Sequence, residues 1–250
     1  MARFLVLRLA GPLMSFGGVT VDENRPTHAL PTQSQLTGLL ANALGWRARE
    51  GERHNRLQAR LVFGARQDRA GQVLVDYQNA HVSQREVAWR WRTDVPLVRS
   101  GGSAETNAQR YRHYIADGVV SVALTLDPAD EAPRLDDLAA ALLRPARPLF
   151  LGRVSCPPSG PIFTEEVVEA DSLPEALRRM PLAARARPAA AGEFLAEWPA
   201  RGAFAGDGTS VRQVVERADL RDWVDNLHAG WRLVATGVLA PTPAPGPEAS

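Results

Sequence analysis

The chain has 250 residues, 45% of them hydrophobic, with 29 basic side chains against 28 acidic ones and a net charge of +1. That length and apolar content bury a full core, as one elaborated domain or two small ones, and exclude a disordered or fibrous chain. No stretch approaches the roughly 20 consecutive apolar residues of a membrane span, so no membrane is expected as a partner and the expected location is cytoplasmic.

A single cysteine, Cys156, excludes an internal disulfide and any zinc site built on several thiolates. Five scattered histidines form no metal-ligand spacing, so neither metal nor other cofactor is expected. There is no lysine, and every basic residue is arginine. One reading is the composition bias of a GC-rich genome, which also suits the many Ala, Pro and Gly residues. Arginine nevertheless makes bidentate bonds to phosphate and stacks on bases. With total charge near zero, any basic surface has to be local.

In chain order, RFLVLRLAG (Arg3 to Gly11) reads as a buried central strand ending at a glycine turn. A loop leads to a helix predicted from Gln33 to Trp46, with Thr32 or Ser34 as N-cap and Leu36, Leu39, Leu40, Ala43 and Leu44 on one apolar face. RLVFGARQD and QVLVDYQNA flank the turn-forming RAG and read as a hairpin. Val119 to Leu126 reads as another buried strand, and Arg134 to about Arg144 as an amphipathic helix stopped by Pro145. A last strand is predicted from Pro148 to Gly152. The order approaches the split βαββαβ plan of ferredoxin-like and RNA-recognition folds.

Between the hairpin and Val119 lies an insertion rich in arginine: Arg85, Arg90, Arg92, Arg99, Arg110 and Arg112 stand against Glu86, Asp94 and Glu105. In WRWR the strand period puts Trp89 and Trp91 on one face and Arg90 and Arg92 on the other. Interleaved arginines and aromatics suit single-stranded nucleic acid, while two tryptophans on one face equally suit a core or a subunit interface. After Gly152, a short helix at SLPEALRRM and strands near EFLAEW, VRQVVERAD and WRLVATGVLA predict a smaller, mostly β domain. The predicted layout is α+β: a ferredoxin-like domain over 1–152 with a thumb insertion at about 79–117, a β-rich domain over 153–240, and a disordered tail over 241–250.

Catalytic motifs are mostly missing. There is no phosphate-binding Walker loop, no GxSxG, no dinucleotide-binding glycine signature and no useful carboxylate pair. His113, between Tyr111 and Tyr114 and beside Arg110 and Arg112, could with an arginine serve metal-free RNA cleavage by acid/base chemistry. Cys156 reads as a buried small hydrophobe rather than a nucleophile.

Four segments together, LVLRLAGPLMSFGG, RPTHALPTQSQLTGLLANALG, YRHYIADG and PLFLGRVSCPPSGPIF, closely resemble the Cas-five family of the RAMP superfamily, in its type I-E CRISPR surveillance complex (Cascade) branch. The resemblance covers roughly Met1 to Phe163. It implies a ferredoxin-like domain with a thumb hairpin, no catalysis, and binding of the repeat-derived 5′ handle of CRISPR RNA (crRNA) at the foot of the complex. Implied partners are the crRNA, the backbone subunit CasC, the large subunit CasA and, through the complex, target DNA. The type I-C relatives are endoribonucleases, which gives the alternative of a metal-free precursor-RNA nuclease using His113 and Tyr111. A third reading is a pure protein-interaction module.

The helix N-terminus, with Thr32, Gln33 and Ser34 and with Arg25 aimed by an approach that Pro26 and Pro31 stiffen, suits a phosphate. MSFGG resembles the family's loop at the RNA edge, implying contacts from Ser15 and Phe16. LGRVSCP resembles the family's glycine-rich loop, implying phosphate contacts from Arg153 and Ser155, although Val154 stands where relatives are often basic. On the finger, Arg85, Arg99, Arg110 and Arg112 are expected at phosphates, with Tyr111 stacking.

Overall fold

The structure is a computed structural model describing residues 1–18, 20, 22–83, 105–183, 186 and 192–241. Arg85, Arg99, the WRWR segment and the tail over 242–250 lie outside the described residues. The elements are β1 (Ala2–Ala10), β2 (Leu13–Met14), β3 (Asn24–Arg25), α1 (Gln33–Ala43), α2 (Gly51–Arg60), β4 (Leu61–Arg69), β5 (Gln72–Ser83), β6 (Glu105–Ala116) and β7 (Val119–Leu126). They continue with α3 (Leu135–Leu143), β8 (Phe163–Ala170), α4 (Leu173–Arg179), β9 (Phe194–Pro199), β10 (Val211–Asp222) and β11 (Leu227–Leu239).

Seven strands form one antiparallel sheet in the order β10-β11-β9-β4-β7-β1-β8. Its centre explains the apolar runs in the sequence, because both faces are covered. Leu5, Leu7 and Leu9 of β1 point to a core shared with Leu36, Leu40 and Leu138 of α1 and α3. Phe4 and Val6, one residue out of phase, point to a second core with Leu173 and Leu177 of α4 and Trp198 of β9. All eight residues of β7 are buried.

The predicted hairpin of RLVFGARQD with QVLVDYQNA is not formed. β4 pairs with β7 and β9, whereas β5 turns away after Gly71 and pairs with β6 from Gln72↔Ala116 to Ser83↔Glu105. The protruding ribbon therefore begins at Gln72 rather than near 79. β2 and β3 pair in succession along the other edge of β6. No strand forms over Pro148–Gly152; that segment is a loop, and β8 takes the place beside β1. Helix α2 was not anticipated, since only Gly51, His54, Leu57, Gln58 and Arg60 of its residues are buried and its apolar stripe is thin.

The C-terminal strands do not make a sheet of their own. β9 pairs with β4 through Ala65↔Glu197 and Arg66↔Ala196, so the sheet runs on unbroken across the boundary expected at 152. Fully buried Arg66 reinforces the join: its guanidinium holds Asp68 at 2.6 Å and donates to the carbonyls of Met180 and Pro181 at 3.0 and 3.1 Å, just past α4. Ser121 and the Ala183 N–H complete the Asp68 carboxylate at 2.6 and 3.1 Å. A buried charge answered this fully ties segments far apart in sequence into one body.

Candidate nucleic-acid interface

Helix α1 opens as its sequence requires. Thr32 is the N-cap, with its hydroxyl accepting from the Gln35 N–H at 3.4 Å. The Gln33 N–H is answered from across the chain by Asp219 of β10 at 2.9 Å, and Arg232 of β11 holds the same carboxylate at 2.9–3.0 Å. A protein carboxylate thus already occupies part of the positive end of the helix. The Ser34 N–H remains, without an acceptor among the described residues. Gln33 itself is only 6% exposed, and its amide donates to the carbonyls of Gln58 and Leu61 at 2.8 and 2.7 Å. It is an internal strut, which corrects its expected role at phosphate.

Phe16 is also corrected. It is fully buried in the core under α1, its N–H donating to the Thr27 hydroxyl at 2.8 Å, so no base can reach its ring. Neighbouring Ser15 is buried too, but lines a cleft; its N–H donates to the Leu151 carbonyl at 3.0 Å and its hydroxyl to that of His113 at 3.3 Å. Gly152, at φ +100°, presses on it so closely that a Cβ would stand 1.8 Å from the Ser15 carbonyl oxygen. Only glycine fits there.

Arg153, next in the chain, donates to the carbonyls of His113 at 3.0 Å and Arg25 at 3.1 Å, and lies 4.6 Å over the Tyr114 ring. It clamps the base of the ribbon to β3 while lining the cleft. Ser155 is exposed, 3.5 Å from the Tyr114 hydroxyl. Burial pushes that phenol up, but Ser155 and the Arg153 guanidinium outweigh it and hold it below its ordinary value.

On the ribbon, β alternation sets Arg110 and Arg112 on one face and Tyr111 and His113 on the other. Arg112 stands opposite Asp76 of β5 and beside Arg25 of β3; Arg110 is exposed. The Tyr111 ring packs against Tyr77 at 5.1 Å. The guanidinium of Arg25 curls back onto the carbonyls of Asp22 and Asn24.

A cleft of about 640 Å³ brings these parts together. Ser15, Arg25, Thr32, Ser34 and Arg153 line it; Arg110, Tyr111, Arg112 and Ser155 do not. Its far wall is Arg221 and Trp223, from the end of β10, which sequence reasoning missed. The Trp223 indole donates to Gln58 at 3.1 Å and stacks on His54 at 5.0 Å, and the Arg221 guanidinium lies 5.0 Å over it. Three arginines and no carboxylate line the cleft among the described residues, in a chain of nearly balanced charge. Gln35, also missed, lines it with both carboxamide atoms shut from solvent and unpaired among the described residues. Leaving such a group unpaired costs about 1–3 kcal/mol.

The described residues include no helix long and apolar enough to cross a membrane, and no cluster of three or more His, Cys, Asp or Glu side chains suited to a metal ion.

The mixed α/β fold built on a large antiparallel sheet is similar to solved Cas protein structures. The chain is similar to a structure titled "Crystal structure of Cas protein", with TM-score 0.63 and 26% identity over 97% of this chain and 100% of that one. It is similar to a chain of a "CRISPR RNA-guided surveillance complex", with TM-score 0.66 and 25% identity over 95% and 90% of the two chains. In sequence it is 31% identical over 166 residues to the CRISPR system Cascade subunit CasD of Escherichia coli (strain K12), covering 65% of this chain and 70% of the relative. The family model described as CRISPR-associated protein (Cas_Cas5) matches residues 4–235. The chain belongs to this Cas5 family, among its CasD-type subunits.

Proposed function

We propose that this protein is the non-catalytic crRNA-binding subunit of a type I-E Cascade complex, holding the 5′ handle of the crRNA and capping the foot of the assembly beside CasC and CasA. The observation that carries the reading is the composition of the cleft: Arg25, Arg153 and Arg221 line it together with the start of α1 and Gly152, with no carboxylate among the described lining residues. Such a surface takes a phosphate backbone, and the aromatic and amide groups beside it take unstacked bases. The strand order β8-β1-β7-β4, with α1 and α2 before β4 and α3 before β8, supports a ferredoxin-like plan, and the β5–β6 ribbon is its thumb.

The test is incubation of the purified chain with labelled repeat RNA in EDTA, read on native and denaturing gels. Retained, uncut RNA, weakened by Arg25→Ala and by Arg221→Ala, supports the scaffold. A discrete product lost on His113→Ala would make the protein a nuclease of the type I-C kind.

A further inference from the structure

Two buried polar groups in the cleft are left without partners among the described residues: the whole carboxamide of Gln35 and the Nε–H of Arg221. Both residues line the same cleft from different elements, Gln35 from the first turn of α1 and Arg221 from the end of β10. Gly38 sits one helical turn beyond Gln35 on the same face, and the edge of the Trp223 ring lies 3.1 Å from where a Gly38 Cβ would stand. A side chain there would crowd the ring and close the gap between helix and strand. Arg221 lies over Trp223, which in turn stacks on His54, so planar groups are already layered at this corner.

We propose that this corner is a nucleobase subsite, in which one unpaired adenine of the bound RNA stacks on the Arg221–Trp223 pair and presents its N6 amino group and N7 to the Gln35 carboxamide. The inference rests on the RNA-binding reading above and adds a base preference to it. A carboxamide carries a donor and an acceptor side by side. On the N7 edge, to which this subsite is assigned, only adenine offers the matching acceptor and donor; guanine shows two acceptors, uracil one acceptor and cytosine a donor. The Watson–Crick edge of any unpaired base also matches a carboxamide, and 7-deazaadenine tells the two edges apart. Unpaired bases stack on guanidinium planes as they do on aromatic rings. The Gln35 amide rests beside Gly152, its Nε2 3.6 Å from where a Gly152 Cβ would stand, and pairing with a base requires a turn about its side-chain torsions. Pairing with a base then satisfies a donor and an acceptor that the fold leaves unanswered.

The test is fluorescence anisotropy of the full chain with labelled RNA octamers at one fixed salt concentration: rA8, rU8, and rA8 in which every adenine is 7-deazaadenine. Wild type should prefer rA8 over both others by at least about fivefold. Gln35→Ala should bring the ratios close to one, whereas Arg153→Ala should weaken all three oligomers and keep the ratios. Gln35→Leu, of similar volume, should lose the preference with a melting temperature at or above that of wild type, because it removes an unpaired buried amide. Equal wild-type affinity for the three octamers, or a preference that survives Gln35→Ala, overturns the subsite and leaves RNA binding standing. A wild-type chain that binds none of them at low salt overturns both readings.

Discussion

Asp219 is the residue whose removal should separate the cleft's two walls. Its carboxylate, 2% exposed, accepts from the Gln33 N–H at 2.9 Å and is held by the Arg232 guanidinium at 2.9–3.0 Å. Asp219→Ala therefore strips a helix N–H of its acceptor and leaves a guanidinium, 17% exposed and 4.8 Å over the Phe63 ring, without its counter-charge. Breaking a buried pair from one side costs about 3–5 kcal/mol, and the partial exposure of Arg232 sets the lower end, about 3 kcal/mol. For a chain of this size each kcal/mol moves the melting point by roughly 2–4 °C, so a fall of roughly 6–12 °C is expected by differential scanning calorimetry. Asp219→Asn keeps an acceptor for Gln33 and should lose less. Hydrogen exchange at the first turn of α1 should quicken in Asp219→Ala. A melting point within about 2 °C of wild type, with exchange unchanged, would show that the pair does not join β10 to α1.

Phe16→Ala should destabilise by about 3–5 kcal/mol, measured by denaturant titration, because its ring is fully buried; a stable variant that loses only RNA affinity would return Phe16 to the RNA edge. If Arg153 neutralises a phosphate besides clamping the ribbon, Arg153→Ala should lower the slope of log affinity against log salt by about one; an unchanged slope would confine it to its carbonyl contacts. Burial, and then the Arg217 charge, depress the His28 imidazole below its ordinary 6.5, with Glu197 and Asp219 opposing. The unfolded chain then binds the proton more readily, so this contribution is present above pH 6.5 and is lost as pH falls through the lower folded value. His28→Gln should flatten the decline of stability below pH 6.5; an equally steep decline would place its cause elsewhere.

The parts of the fold that could be read directly were those with local signals. β1 and β7 are apolar because both faces are covered, α1 announces itself through Thr32, and α3 ends before Pro145 as expected. The hairpin error came from neighbourhood in sequence: the RAG turn is real, with Gly71 at positive φ, but the strands on its two sides find partners in different sheets. Burial decided the two site corrections. Nothing local distinguishes Phe16 or Gln33 from exposed loop and cap residues, and only the packing of α1 on the sheet encloses them. Arg221 and Trp223 were missed because they reach the cleft from nearly the far end of the chain. The signal present, LRDWVDN at the tip of a strand pair, places an arginine and a tryptophan at a turn, and only the sheet order brings that turn to α1.

The most direct measurement is photo-crosslinking of the chain to repeat RNA carrying 4-thiouridine through its 5′ handle, with the attached peptides identified by mass spectrometry. Crosslinks are expected on peptides containing Arg25–Pro26, Gly152–Val154 and Arg221–Trp223, the walls of one cleft. Crosslinks confined to the opposite face of the sheet, on α4 and β8, would contradict the assignment of the RNA to that cleft.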